Sequence, residues 1–234
     1  MEAIVLAGGL GTRLREAVAD VPKPMAPIAE RPFLEYLLNY WADQGVDRFI
    51  LSVGYKWEII RSHFGSKYKN ATVEYSVEEK PMGTGGGVLL ALKRLTERQP
   101  SLLLNGDTFF EVSLSNFLEA HNQSKAEISL ALNQVTGEKR YDWVILDEND
   151  SIETIEPRSE KLKSGLINGG VYLFSPEVFK SNDWDGTSKL SLENDIIPKA
   201  IHEKKKLKGF VSSGKFIDIG IPEDYQAAAS FFEV

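Results

Sequence analysis

At 234 residues, with 42% hydrophobic and 26% charged side chains, the chain can bury one substantial core, and 1–234 reads as a single α/β domain. A formal net charge of −7 removes the basic footprint of nonspecific nucleic-acid binding, and the lack of cysteine excludes disulfides, thiolate metal sites and cysteine nucleophiles. No run approaches the roughly 18 consecutive apolar residues of a membrane span and no charged-then-apolar leader opens the chain, so a cytoplasmic protein without membrane or nucleic-acid partners is expected.

In chain order, EAIVLA (2–7) predicts a strand, and PFLEYLLNYWADQG (32–45) has helical apolar spacing between a proline and a glycine. RFILSV (48–53) predicts a second strand and KWEIIRSHFG a short amphipathic helix. ATVEYSV (71–77) and SLLLN (101–105) then bracket a helix at GVLLALKRLTE, and SLSNFLEAHNQ leads as a helix into the strand AEISLALNQV. This β-α-β-α-β-α-β order implies a Rossmann-like, doubly wound, mixed but mostly parallel sheet with helices on both faces. After Val135 the texture changes. WVILDENDSIETIEP reads as two short strands about an Asn-Asp turn, followed by GLINGGVYLFS and a helix at SLENDIIPKAIHEK. The strands LKGFVSS and KFIDIG precede a last helix, PEDYQAAASFFEV, with Pro222 in its first turn. No linker, low-complexity tract or internal repeat interrupts the chain, and nothing after Gly220 resembles the hexapeptide repeats of a β-helix extension.

Ligands of open α/β sheets sit beyond the carboxyl ends of the strands, so the residues that follow each apolar run are the ones to inspect. AGGLGTRL follows the first strand. It lacks the Lys-Ser/Thr of a P-loop, since Thr12-Arg13 follows Gly11, and it matches only half of a dinucleotide fingerprint, with Leu14 in place of the third glycine. What remains is either a plain turn or a loop whose bare backbone N–H groups cradle phosphate, with Arg13 and Lys23 to cancel charge. Pro22 and Pro24 flank Lys23 and predict that it is presented on a stiff extended segment. Asp107 follows SLLLN and Asp218 follows KFI. Two strand-end aspartates suit Mg²⁺, which takes one or two carboxylates with phosphate and water, provided their strands are neighbours. The three histidines, His63, His121 and His202, show no ligand or triad spacing.

Taken together, LAGGLGTRL…PKP resembles the signature of the sugar-1-phosphate nucleotidylyltransferases. EKPMGTGGGV (79–88) is similar to that family's second nucleotide segment, and Gly106-Asp107 to its first metal motif. NGGVYLF (168–174) is similar to its sugar-binding strand and DIGIPEDY (218–225) to its second metal motif. The resemblance spans essentially the whole chain. It implies a nucleotide-binding half, 1–135, and a sugar-phosphate-binding half, 136–234. It further implies transfer of a nucleotidyl group from a nucleoside triphosphate to a sugar 1-phosphate with release of pyrophosphate, dependence on Mg²⁺, and a homodimer. On this reading Arg13 and Lys23 are catalytic, meeting the β/γ-phosphates and the phosphates around the reacting phosphorus. Asp107 and Asp218 hold the metal. Leu6, Ala7, Gly8, Gly9, Gly11 and Thr12, with Glu79, Gly83, Thr84 and Gly85, bind the nucleotide, and Asn168 and Gly169 meet the sugar. Two places depart from the pattern: Tyr141-Asp142 stands where the family often shows Tyr-Gly, and Ile155-Glu156-Pro157-Arg158 where it shows Phe-x-Glu-Lys, which leaves Arg158 to meet the sugar phosphate. DVPKPMAPIAERPFLEYLL and GLINGGVYL most resemble the short guanylyltransferases of D-glycero-α-D-manno-heptose 1-phosphate, which makes GTP the expected donor. Mannose-1-phosphate guanylyl transfer and glucose-1-phosphate thymidylyl or uridylyl transfer are the alternatives. A noncatalytic nucleotide-sugar sensor would be expected to have lost one of Arg13, Lys23, Asp107 and Asp218, all of which are present.

Overall fold

The computed structural model describes residues 1–9, 18, 20–96, 100–137, 140–157, 164–179 and 189–233. The first apolar run forms β1 (Glu2–Leu6). A 3-10 turn (Lys23–Met25), β2 (Pro27–Ile28), β3 (Arg31–Pro32) and α1 (Phe33–Asp43) come next, then β4 (Arg48–Val53), α2 (Trp57–Phe64), β5 (Lys67–Tyr68), β6 (Ala71–Val77), α3 (Gly83–Leu92) and β7 (Ser101–Asn105). Beyond it lie β8 (Thr108–Phe110), α4 (Leu114–Ser124), β9 (Ile128–Thr136), β10 (Trp143–Leu146), β11 (Ile152–Glu156) and β12 (Ser164–Phe174). A 3-10 turn (Pro176–Phe179), a π-helical turn (Leu192–Ile196), α5 (Ile197–His202), β13 (Leu207–Ser212), β14 (Phe216–Asp218) and α6 (Pro222–Phe231) complete the described chain. Among the described residues no helix is long and apolar enough to cross a membrane.

The main sheet runs β11-β10-β12-β7-β1-β4-β6-β5, with β9 beside β12 and β13 beside β9. Its centre, β7-β1-β4-β6, is parallel, and β12 joins it antiparallel along β7. Successive side chains of a strand point to opposite faces, and here both faces are covered. Ala3 and Val5 pack with Leu34, Leu37 and Trp41 of α1 and Phe117 of α4, whereas Ile4 packs with Val88 and Ala91 of α3 and with Ile197. Continuous apolar runs such as IVL and SLLL follow from this double burial, with each large side chain contributing about 1.5–3 kcal/mol. From β1 the chain winds outward to β4 and β6, then returns through α3 to β7 on the other side of β1. The order therefore reverses at β1, and such a reversal opens a crevice at the carboxyl edge.

Two of the predicted helices differ from expectation. Helix α3 begins at Gly83 rather than Gly87 and ends at Leu92, so the glycines of EKPMGTGGGV form its first turns. The predicted helix over SLENDIIPKAIHEK is divided into the π-helical turn and α5. Pro198 has no N–H to offer the preceding turn, and there the Ser191 carbonyl accepts from both Asp195 N (3.1 Å) and Ile196 N (3.1 Å).

Candidate active site

A cavity of about 450 Å³ occupies the predicted crevice. Three of the central parallel strands deliver residues to it, Leu6, Gly8 and Gly9 from the end of β1, Glu78 from β6, and Asn105 and Asp107 from β7, and Gly220 comes from the turn after β14. Lys23, Pro24, Pro81, Gly83, Thr84 and Lys189 complete the lining. The nucleotide residues Leu6, Gly8, Gly9, Gly83 and Thr84 thus share one cleft with Lys23 and Asp107. Ala7 is buried behind them, its N–H donating to Ser52 O at 2.8 Å. Gly11, Thr12, Arg13 and Arg158 lie outside the described residues.

Asp107 and Asp218 do meet, through a device that the strand pattern concealed. β14 leaves the main sheet and pairs antiparallel with β8, which begins one residue after Asp107, so that Asp218 stands opposite Thr108. Ile219 N donates to Asp107 O at 3.0 Å and closes the ribbon beside the two carboxylates. Asp107 Oδ1 accepts from Thr108 Oγ1 at 3.3 Å, and Asp218 Oδ2 accepts from Tyr141 OH at 3.1 Å. Asp218 Oδ1 is buried and has no hydrogen-bond partner among the described residues. Burial, reinforced by the charge of Asp107, pushes the Asp218 carboxyl above the ordinary carboxylate range, while Lys23, the Tyr141 hydroxyl and the nearby Gly220 backbone pull the other way.

Lys23 bridges the pair, with Nζ 2.5 Å from Asp107 Oδ2 and 3.8 Å from Asp218 Oδ1. Its backbone corrects the expected extended presentation. Pro22 is extended, but Lys23 opens the 3-10 turn, closed by Met25 N to Pro22 O (2.7 Å) and Ala26 N to Lys23 O (3.0 Å). These two bonds outweigh the bias against helix at the residue before Pro24. Met25 and Ala26 are buried, so the turn is pinned to the core and stiffness is kept by a different conformation.

Tyr141 has a role the sequence did not announce. Its ring packs edge-on against Phe216, two residues before Asp218, and Arg140 donates to its hydroxyl at 3.2 Å while ion-pairing with Asp224 at 2.6 Å. Burial and the neighbouring Asp218 raise the phenol far above its usual range, so it stays a donor.

At the far end of the cleft, Glu78 follows the last residue of β6. Oε2 accepts from Met82 N at 3.0 Å and Oε1 from Ser52 Oγ at 3.3 Å, and burial raises its pKa. A Cβ on either Gly8 or Gly87 would stand 2.9 Å from Glu78 Oε1, so glycine at both positions makes room for the carboxylate. The signal for Glu78 was its place immediately after ATVEYSV. The resemblance drew attention to its neighbour Glu79, which does not line the cavity. Lys189 was also missed.

The N-terminus of α3 is latched to the segment after Lys189. Leu190 N donates to Met82 O (2.8 Å) and Gly85 N to Leu190 O (2.9 Å). Thr84 Oγ1 accepts from Leu192 N and donates to Glu193 Oε2, both at 2.8 Å. Gly83 sits at φ +78°, and a Cβ there would stand 2.2 Å from Leu190 O, so only glycine fits. Both assigned sugar contacts lie in a bulge of β12. The Asn168 amide donates to Tyr172 OH (2.7 Å) and accepts from Gly170 N (3.0 Å), while Gly169 packs against Phe110; neither residue lines the cavity.

The family model for "Nucleotidyl transferase" matches residues 2–233. D-glycero-alpha-D-manno-heptose 1-phosphate guanylyltransferase of Aneurinibacillus thermoaerophilus is 43% identical over 228 residues, covering 97% of this chain and 96% of the relative. The protein of the same name from Campylobacter jejuni is 42% identical over 225 residues, covering 96% and 97%. HddC from Yersinia pseudotuberculosis, solved in complex with GMP-PN, superposes with a TM-score of 0.86 at 36% identity over 99% of both chains. With the crevice at the sheet reversal and the match along nearly its full length, the chain belongs to the nucleotidyl transferase family.

Proposed function

We propose that this protein transfers GMP from GTP to D-glycero-α-D-manno-heptose 1-phosphate, giving GDP-heptose and pyrophosphate. The observation that carries the reading is that Lys23 and Asp107 share a cleft with Glu78, while Asp218 reaches the same lysine at 3.8 Å. Asp107 follows β7 and Glu78 follows β6, with β1 and β4 between them; three strand spacings are roughly 14 Å, room for a nucleotide from base to reacting phosphate. The relatives named above support the choice of base and sugar.

A phosphate oxygen of the sugar 1-phosphate attacks the α-phosphorus in line, forms the new P–O bond and expels pyrophosphate. That nucleophile is already ionised near neutral pH, because its second pKa is about 6, so no side chain has to remove a proton. The protein's task is to gather two polyanions and neutralise them, which is most of what phosphoryl transfer demands. Lys23 supplies charge at the reacting phosphate, Arg13 is assigned to the departing pyrophosphate and Arg158 to the sugar phosphate.

Mg²⁺ fits the aspartate pair. Asp218 Oδ1 is buried, has no hydrogen-bond partner among the described residues, and faces the same lysine as Asp107. Among the described residues no cluster of three or more acidic or histidine side chains forms a self-sufficient cage. A pair of carboxylates that leaves the other positions to phosphate oxygens and water is the mode Mg²⁺ favours. When bound there, the ion supplies charge neutralisation at the phosphates.

At the base end, Glu78 is an acceptor-only group whose two oxygens retain lone pairs beyond the bonds they already accept. The guanine edge presents two adjacent donors, N1–H and the N2 amino group, which a carboxylate takes together. Thymine and uracil present one donor between two carbonyls, which it repels. Pairing four nucleoside triphosphates with heptose, mannose and glucose 1-phosphates and measuring pyrophosphate tests the reading. GTP with the heptose 1-phosphate gives the highest kcat/KM; preference for any other base or sugar overturns that part of the assignment.

A further inference from the structure

Lys23 stands where a cation shared by Asp107 and Asp218 would stand. Its ammonium lies within reach of one oxygen from each carboxylate, and its side chain is only 10% exposed. Among the described residues Asp218 Oδ1 has no well-formed hydrogen bond, and the ammonium 3.8 Å away is a compensating charge that it faces. Tyr141 holds the other oxygen and keeps the carboxylate in place whichever cation is present.

We infer that Lys23 is the resting occupant of the divalent-cation position, and that metal and nucleotide displace it cooperatively. This rests on the reading of Asp107 and Asp218 as the metal pair. An ammonium and a divalent ion repel one another and cannot both sit between the same two oxygens. The backbone of Lys23 does not retreat, because Pro22 and Pro24 stiffen it and Met25 and Ala26 anchor the turn in the core. The flexible four-carbon stem can nevertheless swing its charge away. In the free protein that movement takes the ammonium away from both carboxylates. With a triphosphate in the cleft it gives the ammonium a phosphate, which is also where the reaction needs it. Metal uptake is therefore coupled to nucleotide uptake, and the coupling is reciprocal: each ligand raises the affinity for the other by the same factor. One lysine both suppresses metal binding in the empty site and neutralises phosphate in the filled one.

Mn²⁺ is the probe, with its free concentration read by electron paramagnetic resonance, on the whole chain with and without guanosine 5′-[α,β-methylene]triphosphate. Lys23→Met binds Mn²⁺ about tenfold more tightly than the unsubstituted protein when no nucleotide is present, and the enhancement by nucleotide shrinks by a similar factor. Lys23→Gln, equally uncharged, behaves in the same way should the methionine variant fold poorly, and Lys23→Arg retains the weak binding. Equal or weaker Mn²⁺ binding by both neutral variants overturns the inference. Asp107→Asn separates the two claims. If it binds Mn²⁺ in the presence of the analogue as tightly as the unsubstituted protein, the metal-pair reading fails; if it loses Mn²⁺ while the lysine variants gain nothing, only the coupling fails.

Discussion

Asp218→Asn lowers Mg²⁺-dependent pyrophosphate release by about three orders of magnitude or more, the several kcal/mol that charge stabilisation at transferring phosphates contributes, and Asp107→Asn does the same. The substitution keeps the shape of the side chain and removes one charge from a pair that faces a single lysine. Its effect on folding runs the other way. Burial and Asp107 disfavour the charged form of Asp218, so the neutral amide leaves the thermal midpoint unchanged or raised. Activity lost with stability retained marks carboxylates placed for catalysis rather than for folding. Steady-state rates and thermal unfolding of the two variants decide it, and near-normal turnover in either removes that aspartate from the metal pair.

Glu78→Gln is expected to lower the preference for GTP over UTP about ten- to a hundredfold, the range for one well-placed bidentate contact to a base edge. Glutamine offers one acceptor and one donor in place of two acceptors. It keeps only half of the match to guanine and loses the repulsion of the uracil carbonyls, so specificity falls on both counts. The space that Gly8 and Gly87 leave for Oε1 accommodates the isosteric amide, which keeps the effect local. The measurement is kcat/KM for each triphosphate at fixed sugar phosphate. Unchanged selectivity would mean that backbone groups alone read the base.

The strands were legible because their side chains are buried on both faces, which makes EAIVLA and SLLLN nearly continuous apolar runs. Gly8, Gly9 and Asp107 were legible for a related reason, since a parallel sheet gathers its carboxyl ends on one edge. What stayed hidden depends on pairing across long sequence separations. The aspartates meet because β14 deserts the main sheet for β8, a choice that no local propensity encodes. Helix α3 starts early because Leu190 and Glu193 hold its first turn, overriding the low helix propensity of its glycines. Lys23 turns instead of running straight because backbone hydrogen bonds on either side of it outweigh the conformational bias that Pro24 imposes. In the sequence Tyr141 stands out only beside Asp142, where the family often shows Tyr-Gly, and only the fold brings its hydroxyl to Asp218.

The reaction itself is the most direct test. ³¹P NMR of the protein with GTP, Mg²⁺ and D-glycero-α-D-manno-heptose 1-phosphate is predicted to show the coupled pair of resonances of a sugar-linked diphosphate growing in step with pyrophosphate while GTP and the sugar phosphate disappear. GMP accumulating without a sugar-linked product, or GTP left intact beside an unchanged sugar phosphate, would contradict the account.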